Sequence, residues 1–126
     1  MSSIIEDLIA RKIFNNRGDE TIEVDVITTG GFGRVGAPAG KSRGKAEVSY
    51  YPQGGVEQAI KKIDDLIAPE LAGLNADFQQ EIDDTLHEID GTSDFKNIGG
   101  NTAFAISLAN AEAAANSHGL LLFQFL

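Results

Sequence analysis

Thr21-Ile22-Glu23-Val24-Asp25-Val26-Ile27-Thr28-Thr29 is the stretch that decides the fold. Ile22, Val24 and Val26 alternate with Glu23, Asp25 and Ile27, the period-two pattern of a strand with one buried face. Gly30-Gly31 follows as a hairpin turn, and residues 32–37 read as a short returning strand. Working upstream, residues 4–14 are rich in isoleucine and leucine and end at Asn15-Asn16-Arg17-Gly18-Asp19, a dense turn signal. The first third of the chain is therefore expected to be a three-stranded antiparallel meander.

Downstream the period changes. Val56, Ala59, Ile60, Ile63, Leu66 and Ile67 recur at helical spacing until Pro69, which is expected to end that helix. A second helix is expected over about residues 77–90, with Phe78, Ile82, Leu86 and Ile89 on its apolar stripe and Gly91 as its stop. The third, residues 102–116, holds seven alanines suited to close packing. Gly119 ends it, and an apolar tail runs over residues 120–126. Strands first and helices afterwards give an α+β fold: a three-stranded antiparallel β-meander followed by a helical bundle, with the helices on one face of the sheet. Between the two halves, residues 38–55 carry two prolines and four glycines and read as a long loop, with a few extended residues near 46–51.

The chain has 126 residues, one domain's length and too short for a TIM barrel. Nineteen acidic against ten basic side chains, a net charge of −9, argue against nucleic acid and anionic membranes as partners. The absence of cysteine excludes disulfides and thiolate metal sites. With no signal-like N-terminus and no apolar run of about 20 residues, a soluble cytoplasmic domain is expected.

Several motifs fail on context. Gly31-Phe32-Gly33-Arg34-Val35-Gly36 spells G-x-G-x-x-G, but Pro38 and Gly40 follow where a dinucleotide fingerprint needs a helix. Gly36 to Ser42 imitates a phosphate-binding P-loop with one residue too few between its glycines. His87, among acids on a helix, and His118, beside a helix stop, have no neighbour in the sequence pattern that suggests catalysis. The Asp64-Asp65 and Asp83-Asp84 pairs read as solvated helix faces. What remains is the loop, where Lys41 and Arg43 flank Ser42 between glycines. It reads either as an ordinary surface loop or as a lid over an anionic ligand.

Residues 10–24, Ala-Arg-Lys-Ile-Phe-Asn-Asn-Arg-Gly-Asp-Glu-Thr-Ile-Glu-Val, are similar to the A-R-x-I-x-D-S-R-G-N-P-T-x-E-V opening of enolases. Pro38-Ala39-Gly40-Lys41-Ser42-Arg43-Gly44 with Glu47 resembles that family's P-S-G-A-S-T-G-x-x-E lid. Gly55-Val56 with Ile67-Ala68-Pro69, Asp90-Gly91-Thr92, Asn101, Ser107-Leu108-Ala109 and residues 119–123 resemble further enolase motifs in order. The resemblance runs from about residue 4 to the end. It implies the N-terminal capping domain of an enzyme that dehydrates 2-phosphoglycerate to phosphoenolpyruvate, with Mg²⁺ stabilising the intermediate.

The same resemblance places the catalytic lysine, the assisting glutamate and the first metal's carboxylates in a C-terminal barrel that this chain lacks. No catalytic residue is therefore expected here. The lid would comprise Ala39, Gly40, Lys41, Ser42, Arg43 and Gly44, with Ser42 a ligand of the second Mg²⁺ only when the barrel is present. Arg11, Arg17 and Glu23 match positions near the family's dimer interface. The implied partners are the barrel, a second subunit and the phosphorylated substrate, and the chain alone is expected to be inactive and to bind Mg²⁺ negligibly. The other reading is a free-standing enolase-like binding or assembly subunit without catalysis. Lys41 and Arg43 replace the family's alanine and threonine, residues 48–53 replace its E-L-R-D stretch, and Leu121 replaces a proline.

Overall fold

The computed structural model describes residues 2–38 and 50–120. It contains the meander: β1 (Ile5–Phe14), β2 (Glu20–Thr28) and β3 (Phe32–Gly36) form one antiparallel sheet in the order β1-β2-β3. Asn15 shapes the first turn by accepting hydrogen bonds at Oδ1 from the Arg17 and Asp19 amides, both at 2.9 Å. In the second, the Thr28 hydroxyl donates to the Gly31 carbonyl at 2.9 Å. Ile4 stays outside β1 and bridges to Asn75 instead.

The register sorts the two faces. Leu8, Val26 and Gly33 align across the sheet, as do Ala10, Val24 and Val35. This face, with Ile22, is covered by helices; Ile22, Val24 and Val26 are fully buried, as their alternation requires. Arg11, Glu23, Asp25 and Arg34 occupy the opposite face.

The helices are α1 (Gly55–Lys62), α2 (Ala68–Leu71), α3 (Gln79–Asp90) and α4 (Gly100–Ser117). Pro69 does not end the first helix. A π-helical turn, Ile63–Ile67, links α1 to α2, with the Ala68 amide reaching back to the Ile63 carbonyl. The wider turn places Pro69 in the first turn of α2, where its missing N–H is not needed. Ile63 and Ile67 remain in the core, whereas Leu66 is half exposed.

A second departure concerns Phe78, which precedes α3 and is 61% exposed, so the buried stripe of that helix begins at Ile82. Gly91 stops α3 with φ of 75°, a left-handed conformation that favours glycine.

The alanine-rich α4 lies directly on the sheet. A Cβ at Gly33 would stand 2.2 Å from the Ala109 carbonyl oxygen and 2.6 Å from the Ala113 nitrogen, so strand and helix meet backbone to backbone. The apparent dinucleotide motif is thus a packing surface in β3. Two side chains fasten the contact: Glu112 accepts from the Arg34 amide at 2.8 Å, and Asn116 donates to the Phe32 carbonyl.

Candidate functional site

The predicted lid residues Ala39, Gly40, Lys41, Ser42, Arg43 and Gly44 lie outside the described residues, as do Glu47 and residues 121–126. Both roots of that segment are described, and they converge. At the near end, the Ala37 amide continues the sheet by donating to Ile22 at 2.8 Å. The single proton of the Thr21 hydroxyl is directed at the Ala37 and Pro38 carbonyls, at 2.8 and 3.2 Å, so the Tyr51 hydroxyl at 2.8 Å acts as donor to Thr21.

Asn101, in the first turn of α4, ties the two ends together. Its side-chain amide donates to the Pro38 carbonyl at 2.9 Å, and its backbone amide donates to the Tyr50 carbonyl at 2.9 Å. Gly99 makes the approach feasible, since a Cβ there would lie 2.7 Å from both the Tyr50 oxygen and the Tyr51 Cα.

The Asp90-Gly91-Thr92 motif supports this junction from behind. Asp90 is buried and accepts hydrogen bonds from the Thr92 amide and hydroxyl and from the Asn97 and Ile98 amides. Burial alone would raise its pKa, but the donors from Thr92, Ile98 and Asn97 outweigh it and hold the carboxyl below its ordinary value. The connection between α3 and α4 is fixed thereby, and with it the position of Asn101.

A second cluster lies on the sheet face opposite the helices. Asp25 is only 4% exposed although it lies on the face away from the helices, and two arginines cover it. Arg34 reaches it through Nε and Nη2 at 2.8 and 3.0 Å, and Arg11 through Nη2 at 2.9 Å. Arg11 also holds Glu23 at 2.7 Å. The hydrogen bonds from Arg34 and then Arg11 drive the Asp25 pKa far below the carboxylate range, and Asp25 followed by Glu23 raises that of Arg11. Arg11 and Glu23, both interface candidates, are therefore together and paired. Arg17 sits in the β1–β2 turn, 3.9 Å from Asp19.

The remaining candidates behave otherwise. His118 has a carboxylate neighbour that its sequence position did not reveal, with Nε2 3.0 Å from Asp77. His87 lies against the Phe95 ring at 4.3 Å. Asp65 pairs with Lys61, Asp83 accepts from Ser107 and Gln79, and Asp84 accepts from Gln80. Among the described residues no three His, Cys, Asp or Glu side chains are grouped to hold a metal ion. Nor is any helix among them long and apolar enough to cross a membrane.

Residues 5–126 match the family model described as the enolase N-terminal domain. The chain belongs to that family. It is 52% identical over 126 residues to the enolase of Methanosphaera stadtmanae and 51% to that of Methanothermobacter thermautotrophicus, with the whole chain aligned in each case. Against the enolase of Pyrococcus furiosus it is 43% identical over 129 residues, covering 97% of the chain. The chain spans 30% of the length of each of these relatives. The enolase capping-domain architecture, α+β with one three-stranded sheet, is what the structure contains.

Sequence reasoning placed Asn101 in a motif without seeing its role. The double-glycine lead-in Gly99-Gly100 before a buried asparagine was the available signal. Asp25 could have been found from its place on the open face of the central strand, where an unpaired carboxylate would not be buried.

Proposed function

We propose that this chain serves as the lid-bearing domain of an enolase, acting with a C-terminal barrel to convert 2-phosphoglycerate to phosphoenolpyruvate and water in the cytoplasm. The observation that carries the reading is the double anchor on Asn101, which holds Pro38 and Tyr50 at one point. A lid needs roots that stay fixed while the segment between them engages a ligand. The residues between these roots are the ones that resemble the enolase lid.

The described residues do not themselves fit a Mg²⁺ site, since no carboxylate or imidazole cluster is present among them. In this reading the barrel supplies the carboxylates and the proton-abstracting lysine, and Ser42 adds oxygen ligands, which suit a hard cation. This domain's own residues position the lid and help to exclude water. The open sheet face, with Arg11 and Glu23 at its centre and Arg17 at its end, faces a neighbouring subunit.

The test joins this chain to the barrel of the Methanosphaera stadtmanae enolase and follows phosphoenolpyruvate formation in Mg²⁺. The joined protein is expected to turn over, and Ser42→Ala to lower turnover by at least about tenfold, the scale on which disturbed metal sites lose activity. Turnover by the 126-residue chain alone would overturn the proposal, as would a joined Ser42→Ala protein of unchanged rate. An inert joined protein would favour a non-catalytic binding or assembly subunit.

A further inference from the structure

The described cations divide into two groups. Arg11, Lys12, Arg17, Arg34 and Lys61 each reach a carboxylate, as expected in a chain of net charge −9. Lys62 and Lys96 are without a carboxylate partner among the described residues, and they line the same cleft, with a volume of about 540 Å³. Lys62 is half-buried on α1, one turn after Gln58, and Lys96 enters from the connection between α3 and α4. Gln53, Gln58 and Asn97 add side-chain amides, Tyr51 adds a hydroxyl, and none of the described residues that line the cleft is a carboxylate.

Two ammonium groups and three amides, with no acid among the described lining residues, offer hydrogen-bond donors and local positive charge. In a strongly acidic protein, lysines placed by chance would be expected near carboxylates rather than together in one cleft without a described carboxylate partner. The cleft has room for a group of phosphate size and for a small organic moiety attached to it, and phosphate is the anion that lysine point charges commonly hold.

We propose that this cleft binds a small phosphate-bearing anion, either free phosphate or a phosphate monoester, at a site separate from Ser42. The lining residues named here all belong to the described part of this domain.

The experiment titrates the isotopically labelled 126-residue chain with inorganic phosphate and, separately, with α-glycerophosphate, following the side-chain amide resonances of Gln53, Gln58 and Asn97. Chloride at matched ionic strength serves as control. Saturable shifts confined to the cleft are expected, with a dissociation constant on the order of millimolar. The Lys62→Gln/Lys96→Gln variant is expected to bind at least about tenfold more weakly, whereas Lys61→Gln, on the neighbouring helix position, binds normally. Neither cleft lysine is in an ion pair with a described residue, so unchanged melting of the double variant verifies its fold. Tighter binding of α-glycerophosphate assigns the site to monoesters, and equal or weaker binding assigns it to free phosphate. The proposal is overturned if neither probe saturates below roughly 50 mM, if chloride produces the same shifts, or if the double variant binds as the parent does.

Discussion

Gly33→Ala isolates the contact that joins the two halves of the domain. The added methyl would lie 2.2 Å from the Ala109 carbonyl oxygen, 2.6 Å from the Ala113 nitrogen and 2.9 Å from the Glu112 Cβ. Two of these three are backbone atoms within α4, so no side-chain rotation relieves the clash. To reach ordinary contact, α4 must retreat from β3 by about 1 Å, the difference between the built and normal separations. That shift also stretches the Glu112 bond to the Arg34 amide and the Asn116 bond to the Phe32 carbonyl. Overpacking costs about 1–3 kcal/mol where side chains can adjust. A backbone-to-backbone contact belongs at the top of that range, so about 3 kcal/mol is expected. At roughly 4 °C per kcal/mol for a domain of this size, Tm should fall by about 10–15 °C.

Urea and thermal unfolding of the 126-residue chain measure both quantities, with Gly36→Ala as comparison. At Gly36 the added methyl meets only the flexible tip of Ile13, at 3.2 Å, and the change should stay within about 1 kcal/mol. If Gly33→Ala unfolds within about 0.5 kcal/mol of the parent, the close approach of α4 to β3 does not bear on stability and the reasoning fails.

Acid should unfold the chain through Asp25 and Asp90, both with folded pKa values below those of the unfolded chain. The unfolded state then binds more protons, so their contribution is complete above about pH 4 and declines as pH falls below it. Melting curves between pH 6 and pH 2 should show a flatter decline for Asp25→Asn/Asp90→Asn, and an unchanged slope would contradict this. Asn101→Ala leaves the Pro38 carbonyl with only the longer contact from the Thr21 hydroxyl and should cost about 1 kcal/mol by urea unfolding. Gly91→Ala meets open space but must hold φ at 75°, and a loss of about 1 kcal/mol is expected by the same measurement.

The strands were legible because Ile22, Val24 and Val26 pack on one side only, and a half-buried strand writes that geometry as alternation. The helices were legible in number but less so in detail. Pro69 carries a local rule that the π turn circumvents, and nothing in the order of residues 63–67 announces the extra residue. Phe78 fits the apolar spacing of α3 yet precedes it, because periodicity does not say where a helix begins. Asp77 and His118 are far apart in sequence and meet only because α4 runs back toward the start of α3. The proposed lid rests on its motif alone, whereas the convergence of residues 38 and 50 depends on Thr21, Tyr51 and Asn101, which only the folded chain brings together.

The anchorage has an evolutionary consequence. Pro38 and Tyr50 are pinned to one asparagine, so the two ends of the stretch between them are held close together by the rest of the domain. Lengthening a flexible connection between two fixed ends is thermodynamically mild, about 0.6 kcal/mol for each doubling. Substitutions and insertions between the pins therefore leave the sheet and bundle nearly untouched. Natural selection can rewrite the chemistry of that stretch, Lys41 and Arg43 included, without having to redesign the scaffold that presents it.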